Sequence, residues 1–141
     1  MKTLLSLSFL FLLGCTTFAQ SVKKVEAQLF WETNIQSFLD GDLDAVVEQT
    51  EFPIAMFDED LDEELFRENF PFLFDELTLE ALAAQSYRDI QILDEDPSEL
   101  IYMVSIYTET QMEDEILESM TMLYFKKFEG KWKLFQIEIA G

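Results

Sequence analysis

From Ser86 to Ile139 the chain alternates strand-forming runs with short polar breaks, and this pattern limits the fold more than any other feature. Four strands are predicted: Tyr87–Leu93, Glu99–Thr110, Ile116–Phe128 and Lys131–Ile139. Asp94–Ser98, which contains Pro97, marks a loop; Gln111–Asp114 and Glu129–Gly130 mark tighter turns. Neighbouring strands joined by connections this short pair antiparallel, because parallel neighbours need a long crossover. The strands are not cleanly two-faced. One face of Ile116–Phe125 carries Leu117, Leu123 and Phe125, and the other carries Ile116, Met120, Met122 and Tyr124. Helices are expected to cover one face and something else, such as a second subunit, the other, since a monomer rarely leaves so large an apolar patch in water.

The preceding chain reads as helical. Ser21–Asp40 repeats Val22, Val25, Leu29, Phe30, Ile35, Phe38 and Leu39 near the helical period, and Gly41 supplies a stop. Asp42 is placed to cap a second helix, Leu43 to about Thr50, which Pro53 ends; residues 53–57 read as a short extended piece. The acidic run Asp58–Glu64 is read as the solvated approach to a helix over about Asp62–Asn69, interrupted by Pro71. Phe70, Phe72 and Phe74 form a predicted apolar knot, and Thr78 is the expected cap of a helix over Leu79–Gln85. Helices followed by a meander make an α+β layered domain.

Residues 1–19 read as an export signal peptide, with Lys2 as the charged end and Leu4–Leu13 as the apolar core. The apolar core is too short to span a bilayer, so no transmembrane segment is expected in the mature chain. Thr17-Phe18-Ala19 offers small residues for cleavage between Ala19 and Gln20, which is the preferred reading; Leu12-Leu13-Gly14-Cys15 resembles a lipobox that would lipidate Cys15. Residues 20–141 then form a single domain, exported to the periplasm or beyond, or lipid-anchored to a bacterial envelope in the alternative.

Charge and missing residue types exclude several functions. The chain holds 29 acidic and 9 basic residues and no His, and between Asp40 and Glu118 only Arg67 and Arg88 are basic. Such a surface repels phosphate backbones, so no nucleic-acid partner is expected. The acidity is read as solubility, with a cationic partner or Ca²⁺ as sharper readings. One Cys and no His remove disulfides, the usual zinc sites and His-based nucleophilic triads. Asp40, Asp42, Asp44 and Glu51 have EF-hand spacing, but Ala45 stands where that loop needs Gly, and capping accounts for Asp42. The second odd-spaced set, Asp58, Asp60 and Asp62, lacks both the Gly and the final Glu. No metal or cofactor is therefore assigned. Asp89, Glu118 and Glu138 are candidate acid–base carboxylates, each more simply read as solvent-facing. Trp31, Tyr87, Tyr102 and Tyr124, with Glu118, are the candidate pocket lining, against a reading as core or interface. Lys126, Lys127, Lys131 and Lys133 cluster at one hairpin tip, either as edge protection or as a contact for another subunit's acidic region.

The junction Phe38-Leu39-Asp40-Gly41-Asp42-Leu43-Asp44-Ala45-Val46, Pro53 after the second helix, and the closing Phe128-Glu129-Gly130-Lys131-Trp132-Lys133-Leu134 resemble the nuclear transport factor 2-like (SnoaL-like) superfamily over roughly Val22–Ile139. The insert Asp58–Phe74 and the lack of His depart from that pattern. The resemblance implies a cystatin-like α+β roll: N-terminal helices packed on a curved antiparallel sheet, a cone with an apolar pocket, often dimeric through the sheet face. It implies members that are isomerases or cyclases and members that only bind, and fold alone does not choose. The leading expectation is an exported, non-catalytic domain binding a small apolar ligand or a partner protein. The alternatives are an isomerase or hydratase-like enzyme using a buried carboxylate, and a dimerising interaction module.

Overall fold

A computed structural model describes residues 21–93 and 99–141. The export signal, with Cys15, Ala19 and Gln20, and the predicted loop at 94–98 lie outside the described residues. The first helix, α1, is α-helical over 21–30, passes through a π segment at Trp31–Ile35 and finishes as α-helix at Gln36–Leu39. The expected single stripe is split. Phe30, Trp31, Ile35 and Phe38 are buried, whereas Val22, Val25 and Leu29 stay 50%, 53% and 58% exposed. Leu29 and Phe30 are one residue, or about 100° of helix, apart, so they point to different flanks. Asn34, buried in α1, donates from Nδ2 to the Trp132 carbonyl at 2.9 Å and ties the helix to the last strand. Gly41, at φ 65°, closes α1, and the Asp42 carboxylate accepts the Ala45 amide at 3.1 Å to start α2, Leu43–Glu48.

The segment after α2 departs from expectation. The extended piece expected from Pro53 is present but starts three residues earlier, as a full strand, β1 (Thr50–Met56). Phe57 and Asp58 turn the chain into β2 (Glu59–Leu61), with Met56 opposite Glu59. The acidic run is thus an edge strand first and a helix approach only at Asp62, which caps α3 (Glu63–Leu73) through the Leu65 amide at 2.9 Å. Pro71 sits inside α3 and does not end it. Phe70, Leu73 and Phe74 are buried on either side of it, so packing holds the last turn. Phe72 is 80% exposed and is not part of the apolar knot. Asp75, not Thr78, caps α4 (Glu76–Ala83): its carboxylate accepts the Thr78 amide at 2.9 Å.

The first predicted strand is cut short. Ser86 and Asp89 form a reciprocal capping box around a 3₁₀ turn at Tyr87–Asp89, leaving only Gln91–Leu93 as β3. β4 (Ile101–Met112), β5 (Glu115–Phe128) and β6 (Lys131–Ala140) then follow. The β4–β5 turn is only Glu113–Asp114, because Gln111 and Met112 stay in the ladder opposite Ile116 and Glu115. Glu129 (φ 51°) and Gly130 (φ 79°) join β5 to β6, the left-handed pair that a two-residue hairpin requires.

The sheet order is β2-β1-β6-β5-β4-β3. The meander β3–β6 is antiparallel as predicted, but β1 lies parallel to β6, so the six-stranded sheet is mixed. The helices between β1 and the meander supply the crossover that a parallel pair needs. Phe135 is the extra residue of a bulge, since Tyr124 pairs with Gln136 and Phe125 with Leu134. Such a bulge bends and twists the sheet. Its inner face buries Tyr102, Val104, Ile106, Leu123, Phe125, Leu134 and Ile137 against Phe30, Ile35, Phe38, Phe66 and Leu82. The result is an α+β cone with helices on one face.

Candidate functional site

Rings fill the helix-covered side of the sheet. Phe30 meets Tyr102, Phe125 and Trp132 edge-on at 5.1, 4.9 and 5.5 Å between centroids, and Phe38 lies 4.9 Å from Phe74. An open groove of about 1360 Å³ lies beside this core, between the start of α1 and the β5–β6 hairpin. Val22, Val25, Leu29 and Phe30 form its helix wall, and residues 127–133 of the hairpin, with the Trp132 indole, line the other side. Glu48, Gln49 and Glu51 close the side where α2 runs into β1. The two walls have a simple local origin. The second apolar stripe of α1 is turned away from the core, and the tight turn at Gly130 brings Phe128 and Trp132 to one end of the sheet.

Three of the chain's nine basic residues, Lys127, Lys131 and Lys133, line the groove. Lys127 is paired with Glu26 and sits over the Trp132 ring at 5.3 Å. Lys133 reaches Glu51 at 3.4 Å. Lys131 is in no ion pair among the described residues. Lys126 lies on the opposite face, over Phe128 and Phe135 at 5.1 and 4.8 Å. The arrangement offers an apolar surface with both signs of charge at its rim.

The five predicted lining residues do not converge, and none of them lines this groove. Trp31 and Tyr102 are core residues, 9% and 1% exposed. Burial, with a smaller effect from the Glu26 charge, pushes the Tyr102 hydroxyl up to about 12. Tyr87 opens the 3₁₀ turn with Arg88 over its ring at 5.4 Å. Tyr124 faces the outer side of the sheet. Its hydroxyl donates to Glu138 Oε2 at 2.7 Å, and burial together with that bond raises it to about 12. Glu118 is exposed near the far end of β5, opposite Glu109. The groove residues carried a sequence signal of their own, Val22, Val25 and Leu29 at helical spacing, but periodicity does not say which of two stripes faces the core.

Several of the acidic residues singled out earlier have ordinary partners. Asp42 and Asp62 cap helices, Asp44 pairs with Arg67 at 2.8 Å, Glu51 contacts Lys133, and Asp89 completes the capping box. Among the described residues no group of three or more Asp, Glu or Cys side chains is placed to hold a metal ion. No helix among them is long and apolar enough to cross a membrane.

No protein-family model matches the chain, and no curated protein does. The structure is similar to NTF2-like proteins of known structure. One, of unknown function from Shewanella oneidensis MR-1, is 11% identical, with 89% of this chain and 99% of that one aligned at a TM-score of 0.40. Another, of unknown function from Pseudomonas putida KT2440, is 8% identical, with 85% and 87% aligned at 0.44. A third, from Novosphingobium aromaticivorans and described as NTF2-like with a cystatin-like fold, is 14% identical, with 92% and 86% aligned at 0.41.

Proposed function

We propose that this chain is a non-catalytic binding domain that takes a small apolar ligand in the groove between α1 and the β5–β6 hairpin. The observation that carries the reading is the exposed stripe Val22, Val25 and Leu29, three apolar side chains left at half exposure across an open groove from the hairpin that carries Trp132. Apolar concavities with a few polar groups at the rim are the usual form of a small-molecule site. Binding is favoured over acid–base turnover because the buried polar side chains of the described residues are Asn34, Ser37, Thr50, Thr78 and Thr121, with no carboxylate among them. A carboxylate poised to exchange protons near neutrality is one shielded from water. Export, by cleavage after Ala19 or by lipidation of Cys15, is part of the proposal and places the domain outside the cytoplasm.

The test is titration with N-phenyl-1-naphthylamine, an uncharged apolar dye that brightens when it leaves water. Saturable binding to the unmodified protein is expected, weakened about tenfold or more in Val25→Asp and Leu29→Asp, a loss of at least 1.4 kcal/mol. Both positions are exposed, so the variants should keep the fold, which circular dichroism checks. No saturable binding, or equal affinity in all three proteins, rejects the ligand and moves the reading to a partner protein.

A further inference from the structure

The ends of this sheet are guarded unequally. At one side β2 is three residues long and carries Glu59 and Asp60, a short charged edge of the kind that discourages pairing. At the other side β3 covers only Ile101–Met103 of β4. Beyond Met103, no described strand pairs with the outer edge of β4 over residues 104–112. The opposite flank of the same ribbon is better closed, because β6 follows β5 to Met120 and Gly141 packs against Glu118 and Ser119. β4 also carries little charge for a long strand of an acidic chain. Glu109 is the single ionisable acid in its twelve residues, whereas the chain carries a net charge of −20. Two copies repel each other over most of their surface and less along this edge, where Glu109 and its cross-strand neighbour Glu118 are the nearest carboxylates.

We infer that residues 104–112 of β4 are a self-association edge, where a second copy of this chain adds antiparallel across a two-fold axis at Thr108. Register selects that axis. The Ser105 carbonyl accepts from Gln85 Nε2 at 2.7 Å, which places the outward-facing backbone groups on the odd residues Ser105, Tyr107, Glu109 and Gln111. An axis at Glu109 would set that carboxylate against its own copy. An axis at Tyr107 would drive Gln111 onto Met103, whose edge β3 already occupies. An axis at Thr108 sets Tyr107 opposite Glu109 of the second copy, and Ser105 opposite Gln111. Within one chain the Tyr107 hydroxyl already donates to Glu109 Oε1 at 2.7 Å, so the crossing brings two such pairs together with no like charges directly opposed. The Ser105 carbonyl has a second lone pair free for the Gln111 amide. The two sheets join into one continuous sheet, leaving the groove of each copy open.

The experiment is the solution mass of the purified protein by light scattering at roughly 100 µM, which populates any complex with a low-micromolar Kd. Twice the chain mass is expected. Thr108→Lys and Thr108→Glu each place like charges across the axis and should give monomers. Mixing the two variants should restore the double mass, because opposite charges then face each other. Hydrogen exchange should show slow amides at Tyr107, Glu109 and Gln111 in the unmodified protein and fast ones in either variant alone. A monomeric unmodified protein overturns the inference. So does a dimer that survives both substitutions, and so does a mixture that stays monomeric.

Discussion

The Tyr102 ring lies flat against the Trp132 indole, centroids 4.0 Å apart and planes 15° from parallel, and Phe30 meets both edge-on. This trio joins α1, β4 and β6, three elements far apart in the chain, at the margin of the groove. Removing the indole opens a void that its rigid neighbours fill only in part. Trp132→Ala should therefore cost about 3 kcal/mol, and Phe30→Ala, at a more deeply buried position, about 3–5 kcal/mol. Urea denaturation followed by circular dichroism measures both. A loss below about 1 kcal/mol for Phe30→Ala would show that the trio does not hold the helix to the sheet.

Three aspartates start three helices in the same way. Asp42, Asp62 and Asp75 accept the amides of Ala45, Leu65 and Thr78 at 3.1, 2.9 and 2.9 Å. Each also puts negative charge at the positive end of its helix. Replacing any one with Ala should cost about 1 kcal/mol, and replacing it with Asn should cost only a few tenths, because Asn caps nearly as well. Equal losses for Ala and Asn at Asp62 would mean that charge, not the capping bond, carries the effect. Midpoints in urea at low and high salt separate the two.

Gly41 and Gly130 hold left-handed backbone at φ 65° and 79°, and neither has an atom within 4 Å of where a β-carbon would sit. An added methyl group therefore meets no clash, and only the backbone conformation opposes it. Gly41→Ala and Gly130→Ala should each destabilise by about 1–2 kcal/mol. Gly41→Asn should recover much of that loss, since Asn tolerates this region. A thermal unfolding series gives the ordering, and Gly41→Ala as stable as the parent would contradict it.

Local chemistry was the legible part of this sequence. Gly41 and Asp42, the turn at Glu129–Gly130, and the runs that became β4, β5 and β6 depend on near neighbours, and they stand where propensity puts them. What was not legible depends on distant contacts. Pro53 signals a helix end, yet β1 exists because β6, eighty residues on, offers it an edge. Pro71 signals a helix stop, yet buried Phe70 and Leu73 outweigh the missing amide. Thr78 and Asp75 both suit a cap, and only the backbone path decides between them. The groove was missed for a related reason. Aromatic residues such as Trp31 and Tyr102 serve a core as readily as a pocket, while the informative side chains, Val22, Val25 and Leu29, read as core until the π segment and the packing of Phe30 fix which flank turns inward.

Alkaline pH provides a probe of that core. The Tyr102 hydroxyl, raised to about 12 chiefly by burial, stands above its ordinary value of 10. Below pH 10 the group is neutral in both folded and unfolded chains, so its contribution to stability is fully present there. Between pH 10 and about 12 the unfolded chain releases the proton while the folded chain keeps it, and stability falls as pH rises. Tyr124 adds to the decline in the same direction, through burial and its bond to Glu138. Tyr102→Phe retains a flat ring against Trp132 but has no proton to lose. Its urea midpoint should lie close to that of the parent at pH 8 and should fall less steeply between pH 10 and 12. Lysine titration affects both proteins alike, so the difference in slope isolates Tyr102. Parallel curves across that range would place the hydroxyl in water, and the stacked ring at the edge of the core and not within it.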